Sequence, residues 1–388
     1  MFIELHMLQN FAPSCLNRDD TNSPKDCEFG GYRRSRISSQ CIKRSIRQYF
    51  KNEMRLPVES LAKRTKRLVD EVTKRLEEAG IDPSLARKVV ETALSGWGLG
   101  VKEEGKTEYL LFLGENEIAS LASACQEYWD VLVQVVQAAE DEAPEGEKAK
   151  KNKKKLAKAA IPEEFKKIMG QILDGGKAVD LALFGRMLAD LPEKNIDAAC
   201  QVAHAISTHK ISMDFDFYTA VDDLNPKETA GAGMMGTIEF NSACFYRYAN
   251  IDMSQLQENL GGDQDLSIKA VDAFLRAAAA AIPTGKQNSM AAQNPPSFIL
   301  GVVRQSGLWS LANAFVEPVR PDQKGNLIQK SVTALENYWE KLATAYGEKG
   351  ILLKSALAID NELQKLQDHQ VENLEALVTK VMDVIRST

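Results

Sequence analysis

The sequence predicts a mixed α+β protein in which a small sheet is interrupted by a long helical insertion. Three observations carry this. Period-two alternation marks strands near the start of the chain and again beyond residue 210. Helical patterning dominates between about Leu56 and Leu191. Outside that block the order of elements is strand, helix, strands, helix, strand.

Ile3, Leu5 and Met7 alternate within Phe2–Leu8 and predict the first strand. Residues 10–37 are rich in Pro, Asn, Asp, Gly and Arg and read as a long loop, a length usually reserved for function or disorder. Ser38 or Ser39 offers an N-cap for a helix over Gln40–Phe50. The helical block divides into Val58–Ala79, Pro83–Leu94, Glu115–Ala139, Pro162–Leu173 and Asp180–Leu188, interrupted by Leu94–Gly105 and Asp141–Lys155. Ile211–Val221 alternates strictly and predicts a half-buried strand with one apolar and one acidic face. A turn region, Asn225–Gly236, leads into a second strand, Thr237–Tyr248. A helix over Asp265–Ala281 stops at Pro283 and Gly285, and Ser297–Val303 is a further strand. Helices at Ser331–Tyr346 and Gln367–Ile385 follow. With the helical block removed, this order suits a ferredoxin-like or RRM-like sheet. No internal repeat of 20–50 residues is visible.

At 388 residues the chain is long enough for two domains or for one carrying a large insertion. Hydrophobic residues make up 44% and charged residues 26%, so a packed protein is expected rather than a disordered one. No apolar run approaches the roughly 20 residues that span a bilayer. The first residues lack the features of a signal peptide, and a cytoplasmic location is expected. The six cysteines form no Cys-x-x-Cys pair and no zinc spacing, so they read as reduced structural thiols, with no metal or cofactor implied.

The net charge of −6 argues against a nucleic-acid partner only until its distribution is considered. Gly30–Asn52 holds seven Lys or Arg and no acid; Glu140–Glu147 holds five acids; Lys148–Lys158 holds seven lysines and no acid. In the first of these, Gly30-Gly31 lets backbone approach a ligand closely, and Arg33, Arg34 and Arg36 follow. The helix then sets Lys43, Arg47 and Lys51 on one stripe, with neighbours roughly 5–6 Å apart. Its N-terminus at Ser38–Gln40 adds N–H donors and a positive dipole end. Arginines, a helix start and a lysine stripe together favour one polyanion over a merely solvated basic face. Lys148, Lys150, Lys151, Lys153, Lys154, Lys155 and Lys158 read either as a solvated loop or as a contact for nucleic-acid phosphates.

Other motifs carry less. Gly231–Gly236 fits G-x-G-x-x-G but precedes a strand instead of opening a helix, so it reads as a connector and not a dinucleotide loop. Of the four histidines, His204 and His209 lie five apart, off a shared helix face, and no hydrolase or Walker motif is present. Asp214 and Asp216 could join a metal site only with partners from elsewhere.

The long motifs Pro13-Ser-Cys-Leu-Asn-Arg-Asp-Asp20, Lys25-Asp26, Phe29-Gly-Gly-Tyr-Arg-Arg-Ser-Arg-Ile-Ser-Ser-Gln40 and Lys43-Arg44 resemble the N-terminal signature of the CasC family. That family supplies the repeated backbone subunit of the type I-E CRISPR Cascade complex and belongs to the RAMP group. The resemblance continues through Ala203-His-Ala-Ile-Ser-Thr-His209, Phe217-Tyr-Thr-Ala-Val-Asp-Asp-Leu224, Phe245-Tyr-Arg-Tyr-Ala-Asn250, Gln257-Glu-Asn-Leu-Gly-Gly262, Lys286-Gln287 and Asn294-Pro295. It spans nearly the whole chain and is loosest over about residues 55–180.

The resemblance implies a right-hand-shaped protein with an RRM-like palm at 1–54 and 237–388. Helical fingers would occupy 55–190 and a thumb hairpin 200–236. It implies a non-catalytic subunit whose copies line up along the CRISPR RNA (crRNA), kink it at intervals and leave the remaining bases free to pair with target DNA. By position, Arg18, Lys25, Ser38, Gln40, Lys43, Arg44 and Arg47 would contact the guide backbone. Met187, Tyr218 and Thr219 would pack at the kinked base. The lysines of 148–158 would meet duplex DNA. The implied partners are crRNA, target DNA, further copies of the chain, the large, small, crRNA-processing and 5′-end-capping subunits, and a recruited helicase-nuclease; no membrane is implied. The alternative is a metal-dependent endoribonuclease of a related complex, with Asp214, Asp216, Asp222 or Asp223 as candidate acids.

Overall fold

The computed structural model describes residues 1–53, 56–141, 160–221, 224, 232–323, 325–359 and 363–387. They fall into two compact units. The first comprises 1–54, 200–253 and 268–388; the second comprises 55–199 and 254–267. The strands among the described residues are β1 Phe2–Ser14, β2 Asp26–Phe29, β3 Tyr32–Ile37, β4 Ala62–Thr65, β5 Leu111–Gly114, β6 Cys200–Val202, β7 Ala205–Ser207, β8 Asp214–Val221, β9 Ala232–Asp252, β10 Phe298–Arg304 and β11 Ile351–Ala358.

The first unit is built on an antiparallel sheet of order β11-β10-β1-β9-β7-β3-β2, with β6 and β8 also paired to β9. Its centre, β10-β1-β9-β7, has the strand order of a βαββαβ ferredoxin-like unit. Helix α1, Ser39–Asn52, and the helix Gln264–Ala280 lie in its two crossover connections. The fold class is mixed α+β, as the strand and helix order predicts.

The alternation read in Phe2–Leu8 is real, but both faces are covered. Ile3, Leu5 and Met7 are buried on one side, and Glu4 and His6 are fully buried on the other. The polar positions survive burial because a network receives them. Glu4 accepts from the Tyr248 hydroxyl at 2.8 Å and the Trp309 N–H at 2.8 Å, and pairs with Arg304 at 2.9 Å. The Leu311 N–H donates to the Tyr246 hydroxyl, which in turn meets His6 Nδ1 at 2.9 Å. Leu8, Phe298, Leu300, Val302, Val332, Leu335 and Trp339 surround this network as one apolar core.

Three expectations are corrected in this unit. Residues 10–37 are not a loop: β1 runs on to Ser14, and β2 and β3 form a hairpin turned by Gly30 and Gly31 at φ 63° and 79°. Two consecutive positive φ values suit a tight hairpin, for which Gly-Gly is a favoured pair. β11 falls where no strand is expected, because its sequence shows no clean alternation and the pairing with β10 supplies the structure. The last helix starts at Leu374, after a short 3₁₀ turn at Gln367–His369.

The second unit packs helices Leu68–Glu78, Pro83–Trp97, Glu115–Glu127, Trp129–Asp141 and Glu163–Ile172 around Leu68, Val72, Val90, Leu94, Leu121 and Phe165. The single helix expected over Val58–Ala79 is replaced by a 3₁₀ turn, strand β4 and the helix Leu68–Glu78. Pairing of Ala62–Thr65 with the apolar run Leu111–Gly114 overrides the helix propensity of Lys63 and Arg64. Glu115–Ala139 likewise divides at Tyr128. Among the described residues, no helix is long and apolar enough to cross a membrane.

Candidate nucleic-acid interface

The basic stretch divides on folding into structural and surface groups. Arg34 is fully buried, and its guanidinium donates to the carbonyl oxygens of Phe29, Ser207, Phe315 and Val316 at 2.7–3.4 Å. It ties the hairpin to distant backbone and is not available to a ligand. Arg33 is exposed and ion-paired with Asp26 across the hairpin. Gly30 is needed for packing as well as for its φ, since a Cβ there would overlap the Val316 carbonyl. The Gly30-Gly31 pair therefore makes a turn, and the close approach it permits is to the protein's own backbone.

Helix α1 forms because Ser38 caps it, accepting the Cys41 N–H at 3.3 Å, and because Ile42, Ile46 and Phe50 repeat at helical spacing on its buried stripe. Ser38 is itself buried, and its N–H is taken by Asn17 at 2.8 Å. Lys43 and Arg47 are half-buried along the flank of α1; Gln40, Arg44 and Lys51 are exposed. Lys43 reaches toward β6, where its charge opposes the burial that pushes the Cys200 thiol up to about 12.

Arg18 and Arg44 line a cleft of about 410 Å³ with Asn17, Cys41, Ser45 and Thr284. The loop carrying Arg18 is tied down by Asp19, whose carboxylate accepts from the Thr21 hydroxyl and from the N–H groups of Thr21 and Ser23. Arg18 itself bonds Asn22. Lys25 is positioned by two backbone bonds, from its N–H to the Asn17 carbonyl and from the Arg36 N–H to its own carbonyl. Burial raises the Cys41 thiol, and Arg44 and Lys25 pull it back, so both cations stand near the start of α1.

Lys286 joins this group, although the sequence places it only within a shared motif. Gly285 packs so tightly on the carbonyls of Cys15 and Leu16 that no side chain fits, and Lys286 follows with φ 52°. Burial raises the Cys15 thiol, and the charges of Arg18 and Lys286 oppose it. The adjacent glycine is the signal that marks Lys286.

Tyr218 and Thr219 lie on β8, which pairs with the first part of β9. The half-buried strand expected over Ile211–Val221 is shorter and more exposed: Phe215 is 66% and Phe217 64% exposed. Thr219 is also exposed, whereas Tyr218 is partly covered by its packing on Gly236. Gly233 and Gly236 lie within β9, so the G-x-G-x-x-G pattern opens no helix. Asp214 and Asp216 are exposed, and Asp222 and Asp223 lie outside the described residues. Among the described residues no group of three or more His, Cys, Asp or Glu could hold a metal ion.

Met187 belongs to the second unit and is 80% exposed. Its neighbour Arg186 is buried against Glu117 at 2.7 Å, both side chains being fully shielded from solvent. Backbone bonds between Arg186 and Ile196 complete the turn that presents Met187. The seven lysines Lys148, Lys150, Lys151, Lys153, Lys154, Lys155 and Lys158 lie outside the described residues.

An α+β protein with a ferredoxin-like sheet, a cationic surface around α1 and an exposed aromatic hairpin is thus defined. The chain belongs to the CT1975-like protein family, whose profile it matches over residues 3–381. It is similar to a chain of a solved structure described as "CRISPR RNA-guided surveillance complex, pre-nicking", with 30% identity, a TM-score of 0.85, and coverage of 99% of this chain and 100% of that one. A second, described as "CRISPR RNA-guided surveillance complex", is 25% identical with a TM-score of 0.75, covering 99% and 100% of the two chains. Its fold is therefore that of a CRISPR surveillance-complex subunit. No curated protein matches.

Proposed function

We propose that this chain is a guide-binding backbone subunit of a CRISPR surveillance complex of the type I-E Cascade kind, with several copies arrayed on one crRNA. The observation that carries this reading is the end-to-end likeness to a chain of an RNA-guided surveillance complex. The chemistry of the first unit supports it. Arg18, Lys25, Lys43, Arg44, Arg47 and Lys286, with Ser38 and Gln40, offer charge and donors suited to a sugar-phosphate backbone. Sequence is then read by base pairing, so the protein has no need to address base edges. Tyr218 and Thr219 serve in this reading as groups that pack at a displaced base, and Met187 serves separately as an apolar contact to the guide. The lysines of 148–158 serve as a phosphate contact for target DNA. The remaining subunits and the helicase-nuclease complete the assembly.

The chain purified with its complex should carry small RNA of uniform length. A complex whose ultraviolet absorbance is that of protein alone would overturn the reading. We propose further that the subunit is not catalytic. Guide-complementary RNA incubated with the complex and magnesium should stay intact, and cleavage abolished by Asp214→Asn or Asp216→Asn would establish the ribonuclease alternative.

A further inference from the structure

His204 is exposed just beyond β6, and Arg36, on β3, places its Nη1 at 2.9 Å from His204 Nδ1. Arg36 is itself held, its Nε donating to the Asp26 carbonyl at 3.2 Å and its N–H to the Lys25 carbonyl at 2.9 Å. A guanidinium can only donate, so Nδ1 of His204 accepts and the ring proton sits on Nε2. Partial burial, then the charge of Arg36 and then that of Lys25, all lower the pKa of this ring and so favour the neutral imidazole. A neutral donor, oriented by one cation and flanked by another, therefore stands at the edge of the cationic surface.

We propose that His204 contacts the RNA backbone, donating its Nε2–H to a sugar or phosphate oxygen, with Arg36 as the residue that positions the ring. This rests on the guide-binding reading. Its distinguishing feature is that the contact adds no charge of its own. Arg36 polarises the ring, strengthening the Nε2–H as a donor without creating a second cation beside the guanidinium.

The test uses the full chain and a synthetic single-stranded RNA of guide length, with binding followed by fluorescence anisotropy across salt and pH. His204→Ala should weaken binding by about three- to tenfold, the range of one neutral hydrogen bond. The slope of affinity against salt should stay unchanged, whereas Lys25→Ala should reduce it by about 0.7, as one lost phosphate contact does on a single strand. His204→Gln, which keeps an N–H donor at similar reach, should recover most of the loss. Wild-type binding should change little between pH 6 and 8 through this residue. His204-dependent tightening as pH falls through 6.5 would mean the ring binds as a cation and would overturn the proposal, as would affinity unchanged in His204→Ala. A 2′-deoxy strand identifies the acceptor: a penalty that vanishes assigns the sugar hydroxyl, and one that persists assigns the phosphate. A wild-type chain that binds no RNA would instead overturn the guide-binding reading itself.

Discussion

Tyr218 on β8 lies across Gly236 on β9, its phenol filling the space that any side chain at 236 would take. The glycine of the partner strand thus gives the tyrosine a flat seat on an otherwise exposed hairpin. Gly236→Ala should unseat the ring and impair assembly on the guide about as much as Tyr218→Ala. Because the hairpin is exposed, either change should alter the unfolding free energy by no more than about 0.5 kcal/mol. Normal particle size in Gly236→Ala alongside defective Tyr218→Ala would show that the seat is dispensable.

Lys43→Glu combined with Arg47→Glu should strip RNA from the purified chain. The two positions lie one turn apart on α1, so reversal places two like charges together against the phosphates. The ratio of absorbance at 260 and 280 nm reads the result directly, and an unaltered ratio would remove these residues from the interface.

Replacing the lysines of 148–158 with glutamine should weaken target-DNA binding, with the loss largest at low salt and the slope of affinity against salt reduced, and leave guide occupancy intact. Failure of guide loading in that variant would assign the patch to RNA instead.

The buried Arg186–Glu117 pair supports the turn that carries Met187. Glu117 also accepts the N–H groups of Gly114 and Gly175, at 2.7 and 2.8 Å. Arg186→Met leaves that carboxylate without its counter-charge, which should cost about 3–5 kcal/mol. Urea unfolding followed through Trp97 and Trp129, both in the second unit, should report an earlier transition.

Acid should destabilise the first unit through His6. Burial, reinforced by Arg304, lowers its pKa to about 3, against 6.5 for the unfolded chain. The folded state therefore binds fewer protons, and the contribution is complete above pH 6.5 and lost as pH falls toward 3. Between pH 6.5 and 5 the loss amounts to about 2 kcal/mol. Glu4 acts in the opposite sense: burial raises its pKa, so its contribution is present below 4.5 and lost as pH rises through the folded value. The His6→Phe variant isolates the histidine, and its stability should depend less on pH across that window, as measured by denaturant titration.

Local signals made parts of this molecule legible. Ser38 and the spacing of Ile42, Ile46 and Phe50 announce α1, and alternation announces β1 and β8. Arg34 could not be separated from Arg33 and Arg36 by sequence, because the carbonyls that claim it come from Ser207 and Phe315, 173 and 281 positions away. Alternation within Phe2–Leu8 does not reveal that Glu4 and His6 are buried, because the tyrosines and the arginine that receive them are equally remote. β3 is hidden by its three arginines and β2 by its four-residue length and its acids, and pairing makes them strands despite that composition.

β9 runs for 21 residues, pairing first with β8 and then with β1, β6 and β7. From Met234 onward the exposed hairpin and the centre of the sheet therefore share one parity of side chains along β9. A single residue inserted between Gly236 and Cys244 would exchange the faces of everything beyond it, bringing buried positions to the surface. Lengthening of the hairpin is confined to its tip or to paired additions on both strands. An affinity tag or crosslinking site grafted into this region belongs at the tip, where the rest of the molecule does not have to keep count.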